Sequence, residues 1–227
     1  MAKASVRQSA EPRVRRGYFE SRFGQLHVHN AIPPGGGFDE GTSLICLHAV
    51  PGTGDSLKAL LAQMGVDRSV YAPDLPGHGQ SDGPGGVGLA APTMPSISDF
   101  VGAVQDFCTG MRLRQIDVLG CQVGALVAVE LALALPNVVR RVVLAGVPEL
   151  DRLTSRRGPW PVTQPTLVLQ SPQEKAGGSR VRELMPKARV VEVPGLYGLN
   201  PHGPDPSPDR IDPGAQTLLP LLREFLR

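Results

Sequence analysis

The stretch Gly120-Cys121-Gln122-Val123-Gly124 constrains this chain more than any other. It follows the apolar run Gln115-Ile116-Asp117-Val118-Leu119 and leads into Val123 to Leu135, a segment apolar on nearly every face. A buried strand that reverses into a buried helix through two glycines spaced in this way has the frame of a nucleophile elbow. The glycines are steric requirements. Strand and helix pass so close that flanking side chains would collide, and the turn holds its central residue in a strained conformation. Gln122 occupies that central place. An amide has no useful nucleophilic or acid-base capacity near neutral pH, so the frame predicts a fold while its occupant argues against acyl-enzyme chemistry.

Around the elbow the hydrophobic pattern alternates between strands and helices. Gly24 to His29 reads as an early antiparallel strand, and Ser43 to His48 is the near-continuous apolar run of a buried parallel strand. Val70 to Pro73, Val139 to Gly146, Thr166 to Gln170 and Ala188 to Val193 read as further strands. Gly214 to Arg227 carries Leu218, Leu219, Leu222 and Leu226 at helical spacing. Strands alternating with helices place helices on both faces of the sheet. Functional groups in such a sheet gather at the carboxyl ends of the strands.

Two further segments, in the right order with the elbow, resemble the α/β-hydrolase superfamily. His48-Ala49-Val50-Pro51-Gly52 resembles its His-Gly-x-Pro-Gly oxyanion loop, with Ala49 in place of the usual glycine. Asp74-Leu75-Pro76-Gly77-His78-Gly79-Gln80-Ser81-Asp82 matches the family's Asp-x-Pro-Gly-His-Gly-x-Ser-Asp turn almost letter for letter. The resemblance runs from about Arg16 to Arg227 and implies an α/β fold, a mostly parallel twisted sheet of about eight strands. The expected organisation is a flexible basic tail over residues 1–15 and one domain over 16–227. Where relatives carry a long helical cap, only Asp151 to Gln164 intervenes here, so the cap is reduced to a short crossover.

The resemblance also assigns places to the catalytic groups. Gln122 stands at the nucleophile. The segment Thr166 to Glu174 places Glu174 at the acid, and Val193 to Gly198 puts Gly198 at the histidine base, with Tyr197 beside it. His202 lies four residues further on, in a loop dense in proline and glycine, and reads either as a displaced base or as a surface histidine. Cys121 precedes the nucleophile place, where a side chain normally points away from the pocket; a catalytic thiol there requires the turn to shift by one residue. The oxyanion donors would be the main-chain N–H groups of Val50 and Val123, the latter at a helix start whose dipole favours negative charge. His48 and Trp160 complete the candidate substrate-binding set. For His48, His78 and Asp74 the competing reading is loop fixing through hydrogen bonds, and for Trp160 it is local packing.

Composition excludes several classes. A net charge of +2 is too small for a nucleic-acid or membrane role, and no run approaches the ~20 apolar residues of a membrane span. Cys46, Cys108 and Cys121 are an odd number without metal-like spacing, so reduced core thiols in a soluble cytoplasmic protein are expected. No metal cluster, phosphate loop or dinucleotide fingerprint is evident, and no cofactor is expected. The expected partners are a small carbonyl or ester compound and a homo- or hetero-oligomer covering the open pocket. Three readings stay open: non-covalent chemistry on the hydrolase scaffold, a pseudo-hydrolase acting as a ligand-binding or partner subunit, and a thiol hydrolase using Cys121.

Overall fold

Among the described residues, eight strands form one mixed sheet in the order β1-β2-β4-β3-β5-β6-β7-β8. The strands are β1 (Arg15–Ser21), β2 (Gly24–Ala31), β3 (Gly41–Leu47), β4 (Arg68–Pro73), β5 (Ile116–Cys121), β6 (Val139–Ala145), β7 (Thr166–Gln170) and β8 (Arg189–Glu192). The computed structural model describes residues 12–34, 40–85, 94–147, 160–172, 181–194 and 213–227, with backbone alone for 213–217. Strands β1, β2 and β4 pair antiparallel, and the pairs from β4 to β8 are parallel. Strands β4 and β5 are buried along their whole length, which is why their sequences read as unbroken runs rather than alternating ones.

Helices cover both faces. Helices α2 (Ile97–Gly110) and α3 (Val123–Ala134) share a core with Val118, Leu144 and Val168. Helix α1 (Lys58–Met64) and the final helix α4 (Pro213–Phe225) close the other face over Cys46, Leu119, Val143 and Leu169. Helix α3 is buried at Gly124 to Val129, Leu131 and Ala132, as a helix apolar everywhere but at Glu130 must be. Helix α2 starts at a capping box: the Ser96 hydroxyl accepts the Asp99 N–H, and the Asp99 carboxylate accepts the Ser96 N–H.

The sheet departs from the sequence expectation at its first edge. Arg15–Ser21 is a strand that begins inside the expected tail and pairs with β2, Arg15 opposite Asn30 and Ser21 opposite Gly24. Its weak pattern reflects an edge strand with one partner and mostly exposed or half-buried residues. Between β6 and β7 the crossover is only residues 146–165, and most of it lies outside the described residues.

Candidate active site at the strand ends

Gln122 is the point at which β5 turns into α3. Its φ of 50° and ψ of −113° fall outside the regions open to ordinary L-residues. The turn is so tight that a methyl group on Gly120 would collide with the Gly124 carbonyl, and one on Gly124 would collide with the carbonyls of Leu47 and His48. The elbow is therefore packed directly on the end of β3, where the segment His48 to Gly52 begins. The Gln122 N–H donates to the Ala145 carbonyl at 2.9 Å, which locks the turn to β6 as well. Val123 opens the helix, so its own N–H has no intrahelical acceptor and points into the positive end of the helix dipole. Gln122 and Val123 are half-buried, as is Val50, which precedes a cis peptide to Pro51.

His48 is fully buried, and both of its ring nitrogens meet main-chain groups. Nε2 accepts the Leu75 N–H at 2.8 Å, which leaves the proton on Nδ1 to be donated to the Ala49 carbonyl at 2.8 Å. Burial pushes its pKa down to about 4, so the ring is neutral at neutral pH. His48 thus ties the end of β3 to the loop after β4, and its hydrogen-bonding capacity is filled by the main chain rather than turned to a substrate.

Asp74 sits at the centre of that loop. Its Oδ1 accepts the Gly54 N–H at 2.7 Å, and Oδ2 accepts the Gln80 N–H at 3.0 Å and faces His27 Nδ1 at 2.9 Å. Burial alone would raise its pKa, but these N–H groups and His27 outweigh it and hold the carboxyl below its usual range. His29 lies beside this pair, its Nε2 3.9 Å from Asp74 Oδ1 and its ring 4.7 Å from that of His27. Burial pushes the His29 pKa down, and among the described residues its Nδ1 has no hydrogen-bond partner.

His27, His29 and Asp74 together offer three ligand atoms within 4.8 Å of one another, a set of types that can hold a metal ion. Sequence reasoning missed this cluster. The signal available to it was His-x-His in a strand, which puts both imidazoles on one face, followed by an aspartate at the end of the antiparallel neighbour.

The remaining candidates are distributed unevenly. Cys121 is 1% exposed and burial pushes its thiol up to about 12, so it carries no thiolate near neutral pH. Cys108 is raised to about 12 and Cys46 well above its usual value, both by burial. Trp160 lines a cavity of about 430 Å³ on the α2 and α3 face, whose lining includes Leu126 and Glu130 but neither Gln122 nor Val50. Glu174, Tyr197 and His202 lie outside the described residues.

Strained Gln122, its two flanking glycines, the β3 loop and the β4 loop converge at one end of the parallel strands. Residues 42–184 match the alpha/beta hydrolase fold family. The chain belongs to that family. Two curated relatives, uncharacterized proteins of Mycobacterium bovis and Mycobacterium tuberculosis, are each 25% identical over 104 residues. That match covers 46% of this chain and only 28% of each relative.

Solved structures agree on the α/β-hydrolase fold across nearly the whole chain. A hypothetical protein of Pseudomonas aeruginosa superposes with a TM-score of 0.71 at 18% identity, covering 94% of this chain and 99% of its own. The thioesterase domain of a curacin biosynthetic pathway gives 0.69 at 14% identity, covering 93% and 99%. A carboxylesterase of Bacillus subtilis gives 0.67 at 15% identity, covering 94% and 92%. Among the described residues no helix is long and apolar enough to cross a membrane.

Proposed function

We propose that this α/β-hydrolase-fold protein acts on a small carbonyl or ester compound without a covalent serine intermediate, by hydrolase-like or lyase-like acid-base chemistry. The substrate oxygen is held by the main-chain N–H groups of Val50 and Val123, and the Gln122 amide orients a water or a substrate group. The acid-base group comes from Glu174, which the family resemblance puts at the acid place, or from Tyr197 or His202, which lie beside and four residues beyond the place of the histidine base.

The observation that carries this reading is the conformation of Gln122. A non-glycine residue at φ 50° and ψ −113° costs of the order of 1–3 kcal/mol, and glycine would relieve it. Keeping a side chain in a strained turn is intelligible where that side chain is used. Two structures that share the fold are named a thioesterase domain and a carboxylesterase, which is in keeping with a carbonyl substrate here. A thiol mechanism through Cys121 finds no support, because the thiol is buried and held protonated.

A pseudo-hydrolase that binds its ligand without turnover is the second reading. It is favoured by His48, whose two nitrogens are both engaged by main-chain groups and so supply no base. Turnover of a panel of small esters, thioesters and lactones separates the two. The enzyme reading expects activity that resists fluorophosphonates and falls about 10²-fold in Gln122→Ala, comparable to losing one oxyanion donor. Saturable binding of the same compounds with no turnover selects the pseudo-hydrolase, and fluorophosphonate labelling with loss of activity overturns both.

A further inference from the structure

We infer that His27, His29 and Asp74 form a binding site for one divalent transition-metal ion of the zinc class, separate from the elbow. The first reason is charge. Asp74 is buried at 2% exposure, and among the described residues its ionic partners are two imidazoles, which carry charge only when protonated. Buried carboxylates are normally paired with a cation or bound to a metal. A divalent ion would add a full positive charge to the stabilisation that the Gly54 and Gln80 N–H groups and His27 already give this carboxylate.

The second reason is geometry. Two donors about 2.1 Å from one tetrahedral ion stand about 3.4 Å apart. Here His27 Nδ1 lies 2.9 Å from Asp74 Oδ2, His29 Nε2 lies 3.9 Å from Oδ1 of the same carboxylate, and one ligand atom from each of the three residues falls within 4.8 Å of the others. Small rotations of two rings bring three donors onto one centre. Imidazole and carboxylate are the ligand types that zinc takes in three-ligand sites, where a fourth position is left to water.

The third reason is the support behind the ligands. The N–H groups of Gly54 and Gln80 hold Oδ1 and Oδ2 of Asp74, hydrogen bonds of the kind that orient ligating carboxylates in metal sites. Gly79 leaves the space this needs, since a methyl group there would collide with the carboxylate. On binding, the ion takes the place of the proton between His27 Nδ1 and Asp74 Oδ2, and the neutral ring carries its one proton on Nε2 instead. The ion then clasps β2 to the end of β4 and, through Gly54, steadies the segment that follows His48.

The test uses the full chain stripped with a chelator and titrated with Co²⁺, then with Zn²⁺. A visible Co²⁺ absorption band saturating near one equivalent, displaced by Zn²⁺, is expected. X-ray absorption at the zinc edge of the wild-type protein should show imidazole and carboxylate ligands at about 2.0–2.1 Å and no sulfur. His27→Gln and His29→Gln should each weaken Co²⁺ binding by at least about 100-fold, while His202→Asn leaves it unchanged. Absence of the band in the wild type, sulfur in the zinc shell, or full binding by folded His29→Gln overturns the proposal. Should both glutamine variants fail to fold, the wild-type absorption spectrum decides it alone.

Discussion

Gly124 lies against the carbonyl oxygen of Leu47 with no room for a methyl group between them. The first turn of α3 and the last residue of β3 are therefore in main-chain contact, and the elbow and the segment after β3 move as one body. Gly124→Ala should cost about 1–3 kcal/mol by overpacking, and Gly120→Ala, which would meet the Gly124 carbonyl, at least as much. Urea denaturation of the two variants measures this. An unchanged midpoint in both would mean that the turn has slack the close approach denies.

Gln122 should behave in the opposite way. Glycine tolerates positive φ, so Gln122→Gly removes about 1–3 kcal/mol of strain and adds about 0.5–1 kcal/mol of backbone entropy cost. The net expectation is a gain of about 1 kcal/mol in stability with loss of activity or ligand affinity, the usual exchange at a functional residue. Equilibrium denaturation and a binding assay on the same variant give both halves. A destabilised Gln122→Gly would show that the amide side chain supports the fold.

His48 makes acid stability predictable. Its folded pKa of about 4 lies below the unfolded value of about 6.5, so the unfolded chain takes up the proton first as pH falls. Stability from this group is complete above about pH 6.5 and is lost progressively down to about pH 4, by about 3 kcal/mol in total. The physical event is protonation of Nε2, which breaks its bond with the Leu75 N–H. Denaturant midpoints measured from pH 7 to pH 4 should fall accordingly, with a shallower slope in His48→Gln. A flat wild-type profile over that window would show that the ring is solvated.

Cys121 should resist alkylation in the native protein. With its thiol raised to about 12 by burial, the thiolate fraction at pH 8 is about 10⁻⁴, and the sulfur is shielded by the core on the α1 and α4 face. Iodoacetamide should modify Cys121 only at the rate of local or global unfolding, as mass spectrometry of timed samples would reveal. Rapid native labelling at Cys121 would restore the thiol mechanism.

The sheet was readable from the chain because buried parallel strands and a helix apolar everywhere but at Glu130 leave continuous signals, and because Gly120 and Gly124 are demanded by main-chain contact rather than by chemistry. The edge strand Arg15–Ser21 was not readable, since a strand with one partner and little burial needs no regular pattern. The elbow position of Gln122 followed from its flanking glycines. The joining of His27 and His29 to Asp74, 47 residues on from His27, depended on antiparallel register, which spacing along the chain does not encode. The engagement of both His48 nitrogens by Ala49 and Leu75 likewise depended on where a distant loop falls.

Asp117 bears the heaviest electrostatic load away from the strand ends. It is fully buried, and its two oxygens accept from Arg140 Nε at 2.9 Å and Nη2 at 2.6 Å, with Arg68 Nη1 at 3.8 Å. The same two guanidiniums donate to the Leu226 carbonyl, so one buried anion anchors the end of α4 beneath the sheet. Asp117→Ala would remove the buried anion between the Arg140 and Arg68 guanidiniums, leaving Arg68 with Asp67 alone, and should cost about 3–5 kcal/mol. Replacing both partners of the bidentate pair by apolar groups removes the uncompensated charge as well as the bond, so Asp117→Leu with Arg140→Met should lose less than Asp117→Ala alone. Chemical denaturation of the three proteins checks this ordering. If the double variant is the less stable one, the tether to Leu226 matters more than the charge balance at Asp117.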